Sequence, residues 1–287
     1  MKPLLLKVKE DSANSFDIRH EKVPYFDNPW HYHPEFELAL VLKSSGLRFI
    51  GDSIEPFGAG DLVLLGTSLP HYWRNDALYY QNKSEVAEAI ILRFRSGMWG
   101  EPFFEIPEMQ RINELLQRAA RGIHFPVRVA ELVTPLLHRI IGSEGAKRLM
   151  GWMEVFTVLA EEPEFRLLSE KTFGGNRPIE DSGRIQTVLA YIQEHLTAEL
   201  RLDEAADLAN MNKAAFCRYF KQQTNKTFTE VVNELRIQLA CRMLLDSSRD
   251  ISQIGFQCGF QDVSYFNQVF KSRKGMSPSV FRKVHTG

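Results

Sequence analysis

Three features of the sequence predict an α+β chain of two domains: a β-barrel with a helical extension, then an all-α domain of two helix-turn-helix subdomains. Short apolar runs bounded by turn residues fill the stretch from Phe16 to about Ser96. Apolar stripes at helical spacing fill Pro107 to about Glu161. Beyond them one short segment occurs twice, fifty residues apart. Length agrees, because 287 residues suit two domains of roughly 100–200 residues each. The boundaries are set at 1–105 for the barrel, 106–162 for the extension, 163–182 for the linker and 183–287 for the helical domain.

The barrel strands read as Glu37–Leu42, Leu47–Ile50, Asp61–Leu65 and Ala89–Phe94. Between them Ser44-Ser45-Gly46, Gly51-Asp52-Ser53, Phe57–Gly60 and Gly66-Thr67-Ser68 supply turns. Many short strands at such spacing indicate a sandwich or barrel. Within this region lies His31-Tyr32-His33-Pro34-Glu35-Phe36-Glu37, and forty residues on comes Pro70-His71-Tyr72-Trp73-Arg74-Asn75. The period of two puts His31, His33 and Glu37 on one strand face, and likewise His71 and Asn75.

The extension carries three stripes. Met109, Ile112, Leu115, Leu116 and Ala119 form the first, and Val129, Leu132, Val133, Leu136, Leu137, Ile140 and Ile141 the second. Met150, Met153, Val155, Phe156, Val158 and Leu159 form the third. Such stripes must be buried somewhere, but periodicity does not separate core from a dimer contact. Glu161-Glu162-Pro163 and Thr172-Phe173-Gly174-Gly175-Asn176-Arg177-Pro178 mark the linker, since paired Gly and Pro do not continue a helix.

The helical domain opens on Ile185, Val188, Leu189 and Ile192. Phe216-Cys217-Arg218-Tyr219-Phe220-Lys221 and Phe266-Asn267-Gln268-Val269-Phe270-Lys271 are its repeated segment. Phe rings four apart share one helical face and leave the residues between them facing outward. A short helix and a break precede each copy: Leu202–Ala209 with Asn210-Met211-Asn212, then Ile251–Phe256 with Gly259–Asp262. Asn212 suits the N-cap of its helix, and Gly259 suits a left-handed turn residue. Between the copies Val231, Leu235, Leu239, Met243 and Leu244 mark one helix from Glu230 to Asp246. At a rise of roughly 1.5 Å per residue it spans about 25 Å, a spacer between two major-groove readers.

Charge points the same way. Residues 183–287 hold fourteen Lys or Arg against ten Asp or Glu, a net of +4, while residues 1–182 carry −5. A basic domain suits a phosphate backbone. On the faces opposite the Phe pairs, the residues expected to meet DNA are Asn212, Lys213, Ala214, Arg218 and Lys221, then Ser264, Asn267, Gln268 and Lys271. Cys217, Cys241 and Cys258 are an odd set without close pairing, which argues against a disulfide framework. No apolar run approaches the roughly eighteen residues of a membrane helix, and Leu4-Leu5-Leu6 is short for a signal-peptide core, so a cytoplasmic protein is expected.

The run Ile251–Lys271, with Lys274-Gly275-Met276-Ser277-Pro278 and Phe281-Arg282, resembles the AraC/XylS family of bacterial transcription regulators. Arg218, Phe220, Lys221, Phe228, Arg236, Ala240 and Leu244 fit the first half of that pattern. Departures are Gly255 where Ala is usual, Asn225 where Gly is usual and Asn212 where Ser is usual. Gly255 should soften the second subdomain by roughly 0.5–1 kcal/mol of helix propensity. The two His-bearing stretches resemble the paired motifs of the cupin barrel. His31, His33, Glu37 and His71 stand at the positions that bind metal in cupin enzymes, although Tyr25 replaces the opening Gly and the second motif lacks its Pro-x-Gly.

Both resemblances imply a sequence-specific regulator with a cupin-like sensor whose helical extension forms a dimer contact. The partners implied are double-stranded DNA, a small-molecule effector, a second copy of the chain and RNA polymerase. The effector pocket would comprise His31, His33, Glu37 and His71, with Arg48 and Trp73 as walls. Two alternatives stay open there: a divalent metal on His31, His33, Glu37 and His71, or polar residues bonding one another across the barrel. A metal-dependent enzyme with a DNA-binding tail is the competing class, but no acid, base or nucleophile arrangement assigns it a reaction.

Overall fold

The computed structural model describes residues 4–5, 14–81, 85–170, 172, 182–224, 226–246 and 249–286. Phe173 to Pro178 of the expected linker and Asn225 lie outside the described residues. The chain divides into two units, Met1–Glu180 and Asp181–Gly287.

The first unit is built on two sheets. One has the order β1 (Leu4–Leu5), β3 (His31–Tyr32), β8 (His71–Asn75), β5 (Gly46–Ile50) and β6 (Ser53–Phe57). The other runs β11 (Arg166–Leu167), β10 (Ile123–Phe125), β7 (Leu62–Leu65), β4 (Phe36–Lys43), β9 (Ala87–Phe94) and β2 (Phe16–Val23). In the second sheet Glu37 stands opposite Leu65 and Arg93, Ala39 opposite Val63 and Ile91, and Val41 opposite Ala89. These residues share the face turned to the first sheet, where Val63 and Leu65 pack with Ile50, Leu69, Leu168 and Trp73.

The alternate positions Leu38, Leu40, Leu62, Leu64, Ile90, Leu92 and Phe94 face the opposite way, into a core shared with the helices. Covering both faces is why these strands read as unbroken apolar runs rather than alternating ones. The covering helices are α2 (Gln110–Arg118), α3 (Val127–Ile141) and α4 (Gly145–Glu161); the short α1 (Ala77–Gln81) lies between β8 and β9. Trp152 is fully buried, stacked on Phe156 at 4.1 Å and edge-on to Phe94 at 5.1 Å.

The structure departs from three sequence expectations here. The sheet does not end at residue 105, because β10 (Ile123–Phe125), ahead of the second and third covering helices, and β11 (Arg166–Leu167), after them, extend it. Residues 163–170, expected as linker, contain β11 and the buried Leu168 and Ser169, which close the end of the first sheet's interior. Leu132 and Met150, expected within buried stripes, are 59% and 68% exposed, because α3 and α4 turn only one side to the core.

The second unit is all helix: α5 (Ser182–Glu194), α6 (Leu202–Leu208), α7 (Lys213–Thr224), α8 (Phe228–Asp246), α9 (Ile251–Gln257), α10 (Val263–Lys274) and α11 (Pro278–Thr286). Phe216 and Phe220 of α7 are fully buried against Phe228, at ring distances of 5.9 and 5.7 Å. Phe266 and Phe270 of α10 are buried with Phe260, Ile254 and the α8 residues Ile237, Ala240 and Leu244. The central helix thus serves both subdomains, and its 19 residues are longer than the Glu230–Asp246 expectation because Phe228 already belongs to it.

Candidate DNA interface and sensor cleft

The two helix-turn-helix copies share a turn. After α6, Asn210 takes a positive φ of 53° and the Met211 N–H donates to the Ala206 carbonyl at 3.0 Å. After α9, Gly259 takes φ 91° and the Phe260 N–H donates to the Gly255 carbonyl at 3.1 Å. The repeat is forty-nine residues in the turns and fifty in the following helices, so Gln261 is an extra residue in the second turn. Each following helix is capped by a side chain: Asn212 Oδ1 accepts from the Ala215 N–H at 2.9 Å, and Asp262 Oδ1 from the Tyr265 N–H at 2.6 Å. The second cap, Asp262, is the last residue of the Gly259–Asp262 break expected from the sequence.

Gly259 and Gly255 answer to packing as well as to conformation. A Cβ on Gly259 would lie 2.6 Å from the Leu196 carbonyl oxygen and 2.9 Å from Arg236 Nε. Those two groups bond each other at 2.9 Å, and the Arg236 Nη2–H donates to the Ala198 carbonyl at 2.7 Å. Arg236 thereby ties α8, the chain after α5 and the second turn together. A Cβ on Gly255 would meet Phe266 Cδ1 at 2.8 Å, so glycine lets α9 approach α10, correcting the expectation that it only softens the subdomain.

Asn212, Lys213, Ala214, Arg218 and Lys221 are all exposed, as are Ser264, Asn267, Gln268 and Lys271. Two of them already have work within the unit. Asn212 spends its side-chain oxygen on the cap, leaving its NH2 as the end that can donate outward, and Lys213 Nζ pairs with Asp203 at 2.6 Å. Arg273, absent from the sequence-based set, is also exposed and adds to the positive end of α10. The outward faces can supply donors to phosphate from Lys and Arg, and donor–acceptor pairs to base edges from Asn267 and Gln268.

In the first unit a cleft opens between the sheets. Phe26, Ala39, Val41, Ala89 and Ile91 form its apolar wall, and His31, Glu37, Trp73 and Arg93 bring polar groups to it. Counting its mouth it holds about 460 Å³ of empty space; its enclosed part, about 30 Å³, has room for one or two waters. His31, Glu37 and Trp73 of the sequence-based set line this cleft. His33 and His71 flank His31, with ring centroids 5.7 and 4.2 Å from it.

Arg48 is a correction. It is 2% exposed and points to Asp61 at 3.0 Å and Glu55 at 2.9 Å, so its charge is spent in an ion network rather than on the cleft. His124 and Arg166 join that network through Asp61 and Glu55. The sequence reading missed Arg93, whose Nε–H donates to Glu37 Oε2 at 2.5 Å. A lone Arg in the apolar strand Ala87–Phe94 was the available signal, but its partner stands fifty-six residues away.

The histidines are oriented by the backbone. The Nδ1–H of His31 donates to the Pro29 carbonyl at 2.6 Å, that of His71 to the Leu69 carbonyl at 2.8 Å, and His33 Nδ1 lies 3.2 Å from the Glu35 carbonyl. His33 Nε2 lies 3.0 Å from Glu37 Oε2. Among the described residues the buried Nε2 atoms of His31 and His71 and the buried Trp73 Nε1 have no hydrogen-bond partner, although His71 Nε2 lies 3.8 Å from Glu37 Oε1. Burial holds His31 and His71 below the usual imidazole range, that of His71 well below, so both rings are neutral at pH 7. Burial works against the Glu37 charge, but the Arg93 guanidinium and the hydrogen bond with His33 outweigh it and hold the carboxyl well below its usual range.

These features fit a metal ion. One ligand nitrogen from each of His31, His33 and His71 lies within 4.8 Å of the others, backbone bonds fix the ring tautomers, and two bare Nε2 atoms need a partner. Imidazole sets of this kind suit zinc, iron, nickel or copper.

Comparison with known proteins follows this division. Residues 205–284 match the family model described as a helix-turn-helix domain. Over 276 residues the chain is 22% identical to the HTH-type transcriptional activator RhaR of Mannheimia succiniciproducens, covering 96% of this chain and 93% of that protein. It is 23% identical over 281 residues to the HTH-type transcriptional activator RhaS of Escherichia coli O81, covering 96% and 95%. Among solved structures, ToxT from Vibrio cholerae aligns with 96% of this chain and 100% of its own, at 14% identity and a TM-score of 0.37. With two capped helix-turn-helix subdomains following a two-sheet unit in the sequence, the chain carries a DNA-binding domain of the AraC type and is similar over nearly its whole length to HTH-type transcriptional activators.

Proposed function

We propose that this regulator reads a specific DNA sequence with Lys213, Ala214, Arg218 and Lys221 of α7 and Ser264, Asn267, Gln268 and Lys271 of α10, positioned by Asn212 and Asp262. The observation that carries this reading is that each helix buries its Phe pair completely and leaves the faces between exposed. The first unit acts as a cupin-like sensor. Its cleft, with bare Nε2 atoms on two imidazoles and an unpartnered indole N–H, supports an effector carrying both donor and acceptor groups. It works on chromosomal DNA in the cytoplasm, with the effector signal passed from the first unit to the second.

A second copy of the chain is supported by the apolar residues Leu132, Ile141 and Met150, left exposed on α3 and α4. The description of RhaR and RhaS as transcriptional activators supports RNA polymerase as a further partner. The test is selection of bound fragments from chromosomal DNA by the purified chain, followed by salt-dependent binding of the recovered site. Arg218→Ala and Gln268→Ala are expected to lower affinity and relax base preference. Unchanged affinity and preference in both folded variants refutes the assignment of these faces to DNA.

A further inference from the structure

A second hollow in the first unit lies outside the cleft, between the ends of β4, β7 and β9 on one side and the short helix Glu101–Glu105 with α2 on the other. Counting its mouth it holds about 790 Å³ of empty space, and about 320 Å³ admits a water-sized molecule, against about 30 Å³ in the cleft between the sheets. Sites for small ligands run to roughly 300–1,000 Å³. We propose that this groove is a second binding site, for a small organic ammonium compound with an apolar body, and that Glu105 recognises its charge.

The floor of the groove is apolar and fixed. Phe36, Phe104 and Leu116 line it and also belong to the core behind, where Phe36 stacks on Phe94 at 5.2 Å and Phe104 meets Trp152 at 6.2 Å. One wall is held just as firmly. The Gly66 N–H donates to the Ala119 carbonyl at 2.7 Å, the Ser68 N–H donates to the His33 carbonyl at 2.8 Å, and a Cβ on Gly66 would lie 2.6 Å from the Ala120 nitrogen. A groove so supported keeps its shape when empty, which lowers the ordering cost of binding. The rim is polar: Thr67 and Ser96 bring hydroxyls, Asn113 and Gln117 bring amides, and Glu105 brings the one charge among the lining residues described. The sign of the ligand follows from what surrounds that carboxylate. Arg95 beside Ser96, and Arg111 and Arg118 on α2, pair with Glu35, Glu161 and Glu114 at 2.9, 3.8 and 3.7 Å, and none of the three lines the groove. Glu105 has no ion-pair partner among the described residues. An ammonium group therefore finds an unmatched carboxylate and several oxygen acceptors, whereas an anion finds no cation.

The test uses the full chain and three probes, benzylamine, benzyl alcohol and benzoate, which put a cationic, a neutral and an anionic group on one ring. Isothermal titration calorimetry is expected to show one benzylamine bound per chain, benzyl alcohol several-fold weaker and benzoate without measurable heat. Rising salt should weaken the amine and spare the alcohol. Glu105→Gln should bring benzylamine down to the affinity of the alcohol and leave the alcohol unchanged, because the amide keeps the shape and loses the charge. Ser96 is exposed, so Ser96→Trp should fill the groove and remove binding of both; should that variant fail to fold, Gln117→Trp on the exposed rim replaces it. Amine affinity unaltered by Glu105→Gln overturns the role of its charge. Binding that survives the tryptophan variant puts the ligand elsewhere and overturns the site. A folded chain that binds none of the three probes, or takes benzoate as tightly as benzylamine, overturns the proposal as well. None of these outcomes bears on the cleft or the DNA interface, which are judged on their own assays.

Discussion

Replacing Gly259 by alanine tests how the second helix-turn-helix is held. At φ 91° an alanine costs on the order of 1–3 kcal/mol of backbone strain. Its Cβ would sit 2.6 Å from the Leu196 carbonyl oxygen and 2.9 Å from Arg236 Nε, so backbone or the Arg236 bond must give, at roughly another 1–3 kcal/mol. The stiffer unfolded chain returns about 0.4–1 kcal/mol. The net is about 1–6 kcal/mol, a melting temperature lower by roughly 5–45 °C for a unit of this size. Two other glycines separate the contributions. Gly275 has φ 72° with nothing within 4 Å of its Cβ position, so Gly275→Ala should cost only about 1–2 kcal/mol of left-handed strain. Gly255 lies inside α9 with its Cβ position 2.8 Å from Phe266, so Gly255→Ala sets roughly 0.5–1 kcal/mol of helix propensity against about 1–3 kcal/mol of overpacking. The measurement is guanidinium unfolding of the full chain followed by helical circular dichroism. If Gly259→Ala is no more destabilising than Gly275→Ala, the close approach of Leu196 and Arg236 plays no part and the reasoning fails.

Three further outcomes are expected. Arg218→Ala should weaken binding to the selected DNA site by about 1–3 kcal/mol and, if its contact is to phosphate, lower the salt slope by about one; a fluorescence anisotropy titration at several salt concentrations decides this. Glu55, half-buried against Arg166 and Arg48, is held at about 2 against an ordinary 4.5, so its ionisation stabilises the fold above pH 4.5 and that contribution is lost as pH falls from 4.5 towards 2. It amounts to on the order of 3 kcal/mol, and Glu55→Gln should flatten the stability profile of the first unit in that window; an unchanged profile refutes the role of the pair. Leu132→Asp together with Met150→Asp should lower the solution mass from dimer to monomer without loss of fold, measured by light scattering; an unaltered mass removes α3 and α4 from the contact.

Much of the architecture was legible because it rests on local periodicity. The Phe pairs at a spacing of four specify one buried face wherever the helix is placed, and burial of Phe216, Phe220, Phe266 and Phe270 follows directly. Strands β4, β7 and β9 announced themselves as apolar runs because both of their faces are covered. Asn212 was readable as a cap because a cap acts within three residues.

What the sequence left open depends on residues distant along the chain. Arg93 meets Glu37 only because β4 and β9 pair in one register, which sets a guanidinium beside the carboxylate that faces His33 and His71. Arg48 points to Asp61 and Glu55 rather than to the cleft because β6 and β7 bring two carboxylates to it. Gly255 is a helix-weakening residue to any local rule, and only the seat of Phe266 against α9 makes it a packing requirement. Local spacing therefore determined the elements, their buried faces and the kind of protein, while long-range pairing decided which charges are spent inside the fold and which atoms remain to meet a ligand. Hydrogen bonds and charge pairs act over a few ångströms, and the tertiary structure alone brings such partners within that reach.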